Sequence, residues 1–109
     1  LCINNIRDVD TDSNVGKRTI AVRFGVMFVK YLFISLFLIC YLLLGYLSFN
    51  LNYINTNVYF LLLIITLPLC LKLNFDVFKL KLHALNRLLS NVSVFIIIFS
   101  LLFILSILI

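Results

Sequence analysis

The sequence predicts an all-α integral membrane protein with three transmembrane helices. Hydrophobic residues make up 64% of the chain, mean hydropathy is +1.21, and only 12% of the residues are charged. An average soluble domain is roughly half apolar and about a quarter charged, so this chain has too few charges to solvate a globule. No charged residue lies between Tyr31 and Leu71 or between Leu88 and Ile109. Such stretches are long enough to span a bilayer, because about 20 apolar residues cross its ~30 Å hydrocarbon core.

The charge-free stretches predict three spans, over residues 28–49, 58–75 and 90–109. Lys30 lies near the beginning of the first span, where its ammonium group can snorkel to the membrane interface. Pro68 lies late in the second span, where a kink is tolerated because neighbouring helices can satisfy the carbonyl that it frees. Residues 1–25 precede these spans and form a polar segment.

The distribution of positive charge predicts the orientation of the chain. All nine Lys and Arg residues lie ahead of the first span, near its beginning, or around the connection between the second and third spans. The loop over residues 50–57 is polar but uncharged. The positive-inside rule therefore predicts a multi-pass protein of the cell (inner) membrane, with residues 1–25 in the cytoplasm and the last helix ending outside. The net charge of +5 then faces anionic headgroups and gives no support for a nucleic-acid partner.

A dense polar cluster occupies residues 4–19. It holds three of the four carboxylates of the chain, together with three cations and three amides: Asp8, Asp10, Asp12, Arg7, Lys17, Arg18, Asn4, Asn5 and Asn14. If the segment is helical, Asn4, Asp8 and Asp12 share one face at a spacing of i, i+4 and i+8.

This face has the chemistry of a magnesium site. Carboxylates one helical turn apart suit Mg²⁺, which prefers oxygen ligands and often shares them with substrate phosphates. Arg7, Lys17 and Arg18 are then close enough in sequence to neutralise diphosphate oxygens. Gly16 permits a tight turn ahead of the last two cations.

The sequence allows two other interpretations of the cluster. Asp8, Asp10 and Asp12 open like an EF-hand calcium loop, but Ser13 and Thr19 stand where that loop needs Gly and a bidentate Glu. Alternatively, the segment is a solvated juxtamembrane loop in which acids and bases pair with each other, each surface pair contributing at most about 1 kcal/mol. Composition does not decide between this loop and a metal–diphosphate site.

A resemblance favours the metal–diphosphate site. Residues 4–12, NNIRDVDTD, and residues 16–25, GKRTIAVRFG, resemble the second Asp-rich motif of the UbiA-type polyprenyltransferase superfamily. Within it they are most similar to the 1,4-dihydroxy-2-naphthoate polyprenyltransferases of menaquinone biosynthesis, whose pattern is close to NN-x-RD-x-x-TD-x-x-x-GK-x-T-[LI]-AVR-[LF]-G. The match covers residues 4–25; Leu85 and Asn86, ahead of the last span, also resemble the family.

The resemblance implies a fold, a reaction and a set of site residues. The three spans would be the last third of a nine-helix bundle. Mg²⁺ would be held between two Asp-rich motifs, with Asp8 and Asp12 as ligands and Asn4 on their face. Lys17, with Asp8 and Asp12, would be catalytic, and Arg7, Lys17 and Arg18 would bind the diphosphate. A polyprenyl diphosphate would alkylate 1,4-dihydroxy-2-naphthoate, with loss of CO₂ and diphosphate, to give demethylmenaquinone.

Several expectations follow for the chain as a whole. It begins at Leu1 rather than Met, with the motif at its beginning, so we expect a C-terminal piece of a larger enzyme that is inactive without its N-terminal part. A sister activity on another aromatic acceptor, such as homogentisate or 4-hydroxybenzoate, is an alternative. A non-enzymatic membrane component that docks a partner through its charged loop is another. Cys2, Cys40 and Cys70 have no paired spacing and predict neither a disulfide nor a zinc site.

Overall fold

The computed structural model describes residues 1–52 and 54–109, which are almost entirely helical and contain no strand. Three short helices precede three long ones: α1 Cys2–Arg7, α2 Val9–Asn14, α3 Ile20–Phe24, α4 Val26–Phe49, α5 Thr56–Lys79 and α6 Ala84–Leu108. The last three are long and apolar enough to cross a membrane, which confirms the predicted all-α, multi-pass membrane fold. Tyr53, which belongs to the predicted external loop, lies outside the described residues.

The long helices extend beyond the charge-free stretches that predicted them. α5 continues through Lys72 and Asp76 to Lys79, four residues past the predicted 58–75. α6 begins at Ala84 rather than at residue 90, because its polar first turns remain helical outside the apolar stretch. At 1.5 Å per residue, α5 is about 36 Å long and α6 about 38 Å, so their ends project past a ~30 Å hydrocarbon core. Pro68 lies inside α5 without ending it.

Gly25 separates the polar segment from the first long helix. Its φ of +91° and ψ of 158° fall in a region that is essentially restricted to glycine. The turn allows α3 to end and α4 to begin with only Gly25 between them, so that α1, α3 and α4 pack against each other. The polar segment is therefore attached to the helical bundle.

The core lies at two levels of the bundle. The larger cluster joins α1 and α3 to one end of α4, α5 and α6 and includes Ile3, Ala21, Val29, Val77 and Leu88. The smaller cluster lies toward the other end and is built around Leu44, Ile54 and Leu62. Because α1 contributes to the larger cluster, the residues that follow it are held at one fixed end of the bundle.

Candidate functional site

Asn4, Asp8 and Asp12 lie on successive turns of one nearly continuous helical path. The Asp8 amide donates to the Asn4 carbonyl at 2.9 Å, and the Asp12 amide donates to the Asp8 carbonyl at 2.8 Å. Asp8 itself, with φ −98° and ψ 10°, departs from helical geometry and separates α1 from α2. The predicted i, i+4, i+8 register is therefore kept despite the break.

The Asp8 carboxylate is engaged by Arg7. Arg7 donates through Nε to Oδ1 at 2.8 Å and through Nη2 to Oδ2 at 2.9 Å, a bidentate pair. These bonds from Arg7, with a smaller contribution from the charge of Lys17, hold the pKa of Asp8 below its ordinary value. The same bonds raise the pKa of Arg7. Asp8 is therefore an ionised carboxylate at neutral pH.

Arg7 also ties the cluster to the far end of the sequence. Its Nη1 donates to the Asn86 Oδ1 at 2.6 Å, joining α1 to the first turn of α6. Nothing in the sequence around Asn86 indicates this role, because a contact across 79 residues leaves no local pattern. This contact orients the guanidinium, and with it the carboxylate of Asp8.

Gly16 returns the chain toward Asp12. The Gly16 amide donates to the Ser13 carbonyl at 3.2 Å, and the Lys17 amide donates to the Asp12 carbonyl at 2.8 Å. These are the two bonds of a Schellman motif, with Gly16 at the left-handed position at φ +77°. As a result, the Lys17 Nζ lies 4.0 Å from the Asp12 Oδ1. The Asp12 side chain is only 14% exposed, whereas that of Lys17 is 69% exposed and free to reach a ligand.

Asn4 has an oxygen without a donor. Its Oδ1 is buried and accepts no hydrogen bond from any of the described residues. A buried acceptor left unsatisfied costs about 1–3 kcal/mol, so this atom suits a cation or a donor that binds here. Within residues 1–52 and 54–109, no group of three or more His, Cys, Asp or Glu side chains that could hold a metal occurs. Asn4, Asp8 and Asp12 would thus supply only part of the shell of a metal ion.

The other predicted site residue, Arg18, is exposed, and so is Asp10. Neither forms an ion pair within 4.0 Å with the part of the chain that the structure describes. Thr19 begins α3, where its Oγ1 accepts from the Val22 amide at 3.4 Å. Lys30 is buried by its protein neighbours, and its Nζ lies 5.6 Å from the centre of the Phe78 ring, one residue before the end of α5.

An apolar groove of about 530 Å³ runs beside the cluster, between α1, α4 and α6. Ile3 of α1 lines one end, one residue before Asn4, and Phe37, Phe95 and Phe99 line its length. One end of the groove therefore lies at the beginning of α1, ahead of Asn4 in the sequence, and the groove continues along the apolar helices.

Comparisons with protein-family models, with curated proteins and with solved structures gave no match to this chain.

Proposed function

We propose that this chain carries the second Asp-rich motif of a Mg²⁺-dependent prenyltransferase of the UbiA type, and that its helices are the last third of a nine-helix bundle. The reaction transfers a polyprenyl group from its diphosphate to 1,4-dihydroxy-2-naphthoate, with loss of CO₂ and diphosphate, to give demethylmenaquinone. The observation that carries the proposal is the register of Asn4, Asp8 and Asp12, with Lys17 returned to Asp12 by the turn at Gly16.

The oxygen atoms of the cluster fit a magnesium ion. Asp8 is ionised, Asp12 is largely shielded, and the Asn4 Oδ1 is a buried acceptor without a donor among the described residues. Asn4, Asp8 and Asp12 would hold the ion, while substrate phosphates and a first Asp-rich motif on preceding residues of the same protein would complete its shell. When bound, Mg²⁺ supplies Lewis-acid stabilisation of the departing diphosphate.

The cations divide into two roles. Arg7 already donates to Asp8 and Asn86, so it positions the Asp8 carboxylate and has little capacity left for a substrate. Lys17 and Arg18 are exposed and can bind diphosphate oxygens directly. Lys17 lies next to Asp12, where its ammonium group would stabilise negative charge on the departing diphosphate.

The groove between α1, α4 and α6 supports an isoprenoid substrate. Its walls are mostly apolar, and Ile3, which lines one end, immediately precedes Asn4 in the sequence. A polyprenyl chain would lie there with its diphosphate at the polar cluster, burying apolar surface that stabilises binding by about 25 cal/mol per Å².

The test is a membrane assay of the product of the whole gene, with labelled polyprenyl diphosphate and each aromatic acceptor in turn. Asp8→Ala and Asp12→Ala are expected to lower Mg²⁺-dependent product formation by about 100-fold or more. Asp10→Ala is the matched control, because this exposed carboxylate lies off the Asn4–Asp8–Asp12 face, and it should retain the wild-type rate. Wild-type turnover in both of the first two variants would refute the proposal, and the preferred acceptor separates naphthoate from homogentisate and 4-hydroxybenzoate.

A non-enzymatic docking function is the second candidate. The observation that favours it is the Arg7–Asp8 pair, because acids and bases that neutralise each other need no ligand. Under this alternative, no acceptor would be prenylated by the whole gene product, and the coding sequence would lack a further Asn/Asp-x-x-x-Asp motif.

A further inference from the structure

A second crevice, of about 220 Å³, lies between α5 and α6 on residues that the proposed reaction does not use. Its polar residues are Lys72 and Asp76 of α5 and Asn91 of α6. Its other walls are apolar and include Leu69 and Val94. We refer to this feature as the α5–α6 crevice.

The polar and apolar residues of the crevice are ordered by depth. α5 ends at Lys79 and α6 begins at Ala84, so the two helices run in opposite directions from one short turn. At 1.5 Å per residue, Asp76 lies about 5 Å from the end of its helix, and Lys72 and Asn91 lie about 10 Å from theirs. Leu69 and Val94 lie deeper, at about 15 Å. From the turn inward, the order is therefore a carboxylate, then a cation with an amide, then hydrocarbon.

The two charges of the crevice have no ion-pair partner among the described residues. Within the part of the chain that the structure describes, the ion pairs within 4.0 Å are Arg7–Asp8 and Lys17–Asp12. Lys72 and Asp76 belong to neither, although their i, i+4 spacing would allow a pair. Charged side chains near the end of a transmembrane helix reach the headgroup level of the bilayer, where they can contact the phosphate and ammonium groups of lipids.

We propose that the α5–α6 crevice binds a phospholipid with a primary ammonium headgroup, such as phosphatidylethanolamine. From the bilayer interior outward, such a lipid presents acyl chain, phosphate and ammonium, which is the complement of the order in the crevice. Lys72 and the Asn91 amide bind the phosphate, Asp76 accepts hydrogen bonds from the ammonium, and an acyl chain lies against Leu69 and Val94. A lipid whose headgroup lacks an ammonium would leave the Asp76 carboxylate without a cationic partner, and an apolar partner would leave both charges desolvated.

The test measures lipid binding to the purified product of the whole gene in detergent by native mass spectrometry. Phosphatidylethanolamine, phosphatidylcholine and phosphatidylglycerol with identical acyl chains are titrated separately. Phosphatidylethanolamine is expected to bind about fivefold more tightly than phosphatidylcholine, since its ammonium donates hydrogen bonds that a trimethylammonium cannot and one such contact is worth up to about 1 kcal/mol.

Two variants separate the parts of the site. Asp76→Asn is expected to abolish the preference for phosphatidylethanolamine while leaving binding to phosphatidylglycerol intact or improved. Lys72→Gln is expected to weaken the binding of all three lipids. Lys81→Gln, in the turn between α5 and α6, should leave the binding of all three unchanged. Circular dichroism verifies that each variant keeps its helical content. Three outcomes would overturn the proposal. They are equal binding of the three lipids by the wild-type protein, a preference for phosphatidylethanolamine that survives Asp76→Asn, and a dimer of the protein that binds no lipid.

Discussion

Asp8 combines a backbone and a side-chain function at one position. Its backbone separates α1 from α2, and its carboxylate receives two hydrogen bonds from Arg7. Those bonds lower the pKa of Asp8, so the carboxylate stabilises the folded segment only while it is ionised. The contribution of this carboxylate to the free energy of unfolding is present above the ordinary Asp pKa of about 3.9. It is lost as the pH falls through the lowered pKa of the folded state.

The first prediction concerns this pKa. In a carboxyl ¹³C NMR titration without divalent metal, Asp8 should titrate below about 3.9, the ordinary value. Arg7→Gln removes the largest cause of the shift and should move the midpoint upward. Arg23→Gln, which changes an exposed cation on α3, is the control and should leave the midpoint in place. An unchanged Asp8 midpoint in Arg7→Gln would contradict the bidentate pair.

The second prediction concerns Gly16. At φ +77°, any L side chain is strained, although nothing lies within 4 Å of the position that a Cβ would take. Gly16→Ala should therefore destabilise the turn by about 1 kcal/mol through backbone strain alone. Gly16→Asn should destabilise the turn less than Gly16→Ala, because Asn tolerates the left-handed region. The measurement is amide hydrogen exchange at Lys17, and equal exchange in wild type and both variants would contradict the Schellman turn.

At the scale of the elements, α4 and α5 are joined by a pair of hydroxyl groups inside the apolar bundle. The Tyr41 Oη and Thr66 Oγ1 atoms are 2.8 Å apart, and Thr66 is fully buried. Thr66 also donates to the Leu62 carbonyl of its own helix, within 2.8 Å. The pair therefore fixes how α4 and α5 face each other where lipid-exposed apolar residues give little direction.

The third prediction is a coupling between these two residues. In a double-mutant cycle of Tyr41→Phe and Thr66→Val, the coupling free energy should be about 0.5–1.5 kcal/mol, as for other hydrogen bonds between transmembrane helices. Ser93→Ala is the control, because the Ser93 hydroxyl donates to the Leu89 carbonyl of its own helix. Reversible unfolding in mixed micelles provides the free energies, and additive effects would show that the hydroxyl pair does not join the helices.

The elements were predictable from the sequence to the extent that local patterns determine them. Hydropathy alone located α4, α5 and α6, and the spacing of Asn4, Asp8 and Asp12 gave their shared register. The packing between elements was not predictable in this way. The contact of Arg7 with Asn86 and the inward packing of Lys30 depend on how α1 and α5 pack on their neighbours, which a continuous apolar pattern leaves unspecified.

At the scale of the whole molecule, most of the apolar surface faces outward. Within the spanning segments of α4, α5 and α6, only 11%, 22% and 11% of the residues are buried inside the chain. Such a surface requires lipid or further protein around it. A nine-helix bundle, as proposed above, would cover part of this surface.

The last prediction concerns orientation in the membrane. Because the Lys and Arg residues gather at one end of the bundle, the positive-inside rule predicts that the turn containing Lys81 is cytoplasmic and that Asn50 is external. In a background with Cys2, Cys40 and Cys70 replaced by Ala, Asn50→Cys should react with a membrane-impermeant maleimide in intact cells. Lys81→Cys should react only after permeabilisation. Reaction of both positions in intact cells would contradict an odd number of crossings between them. The reverse pattern would place the Asp8–Asp12 cluster outside and contradict the predicted orientation.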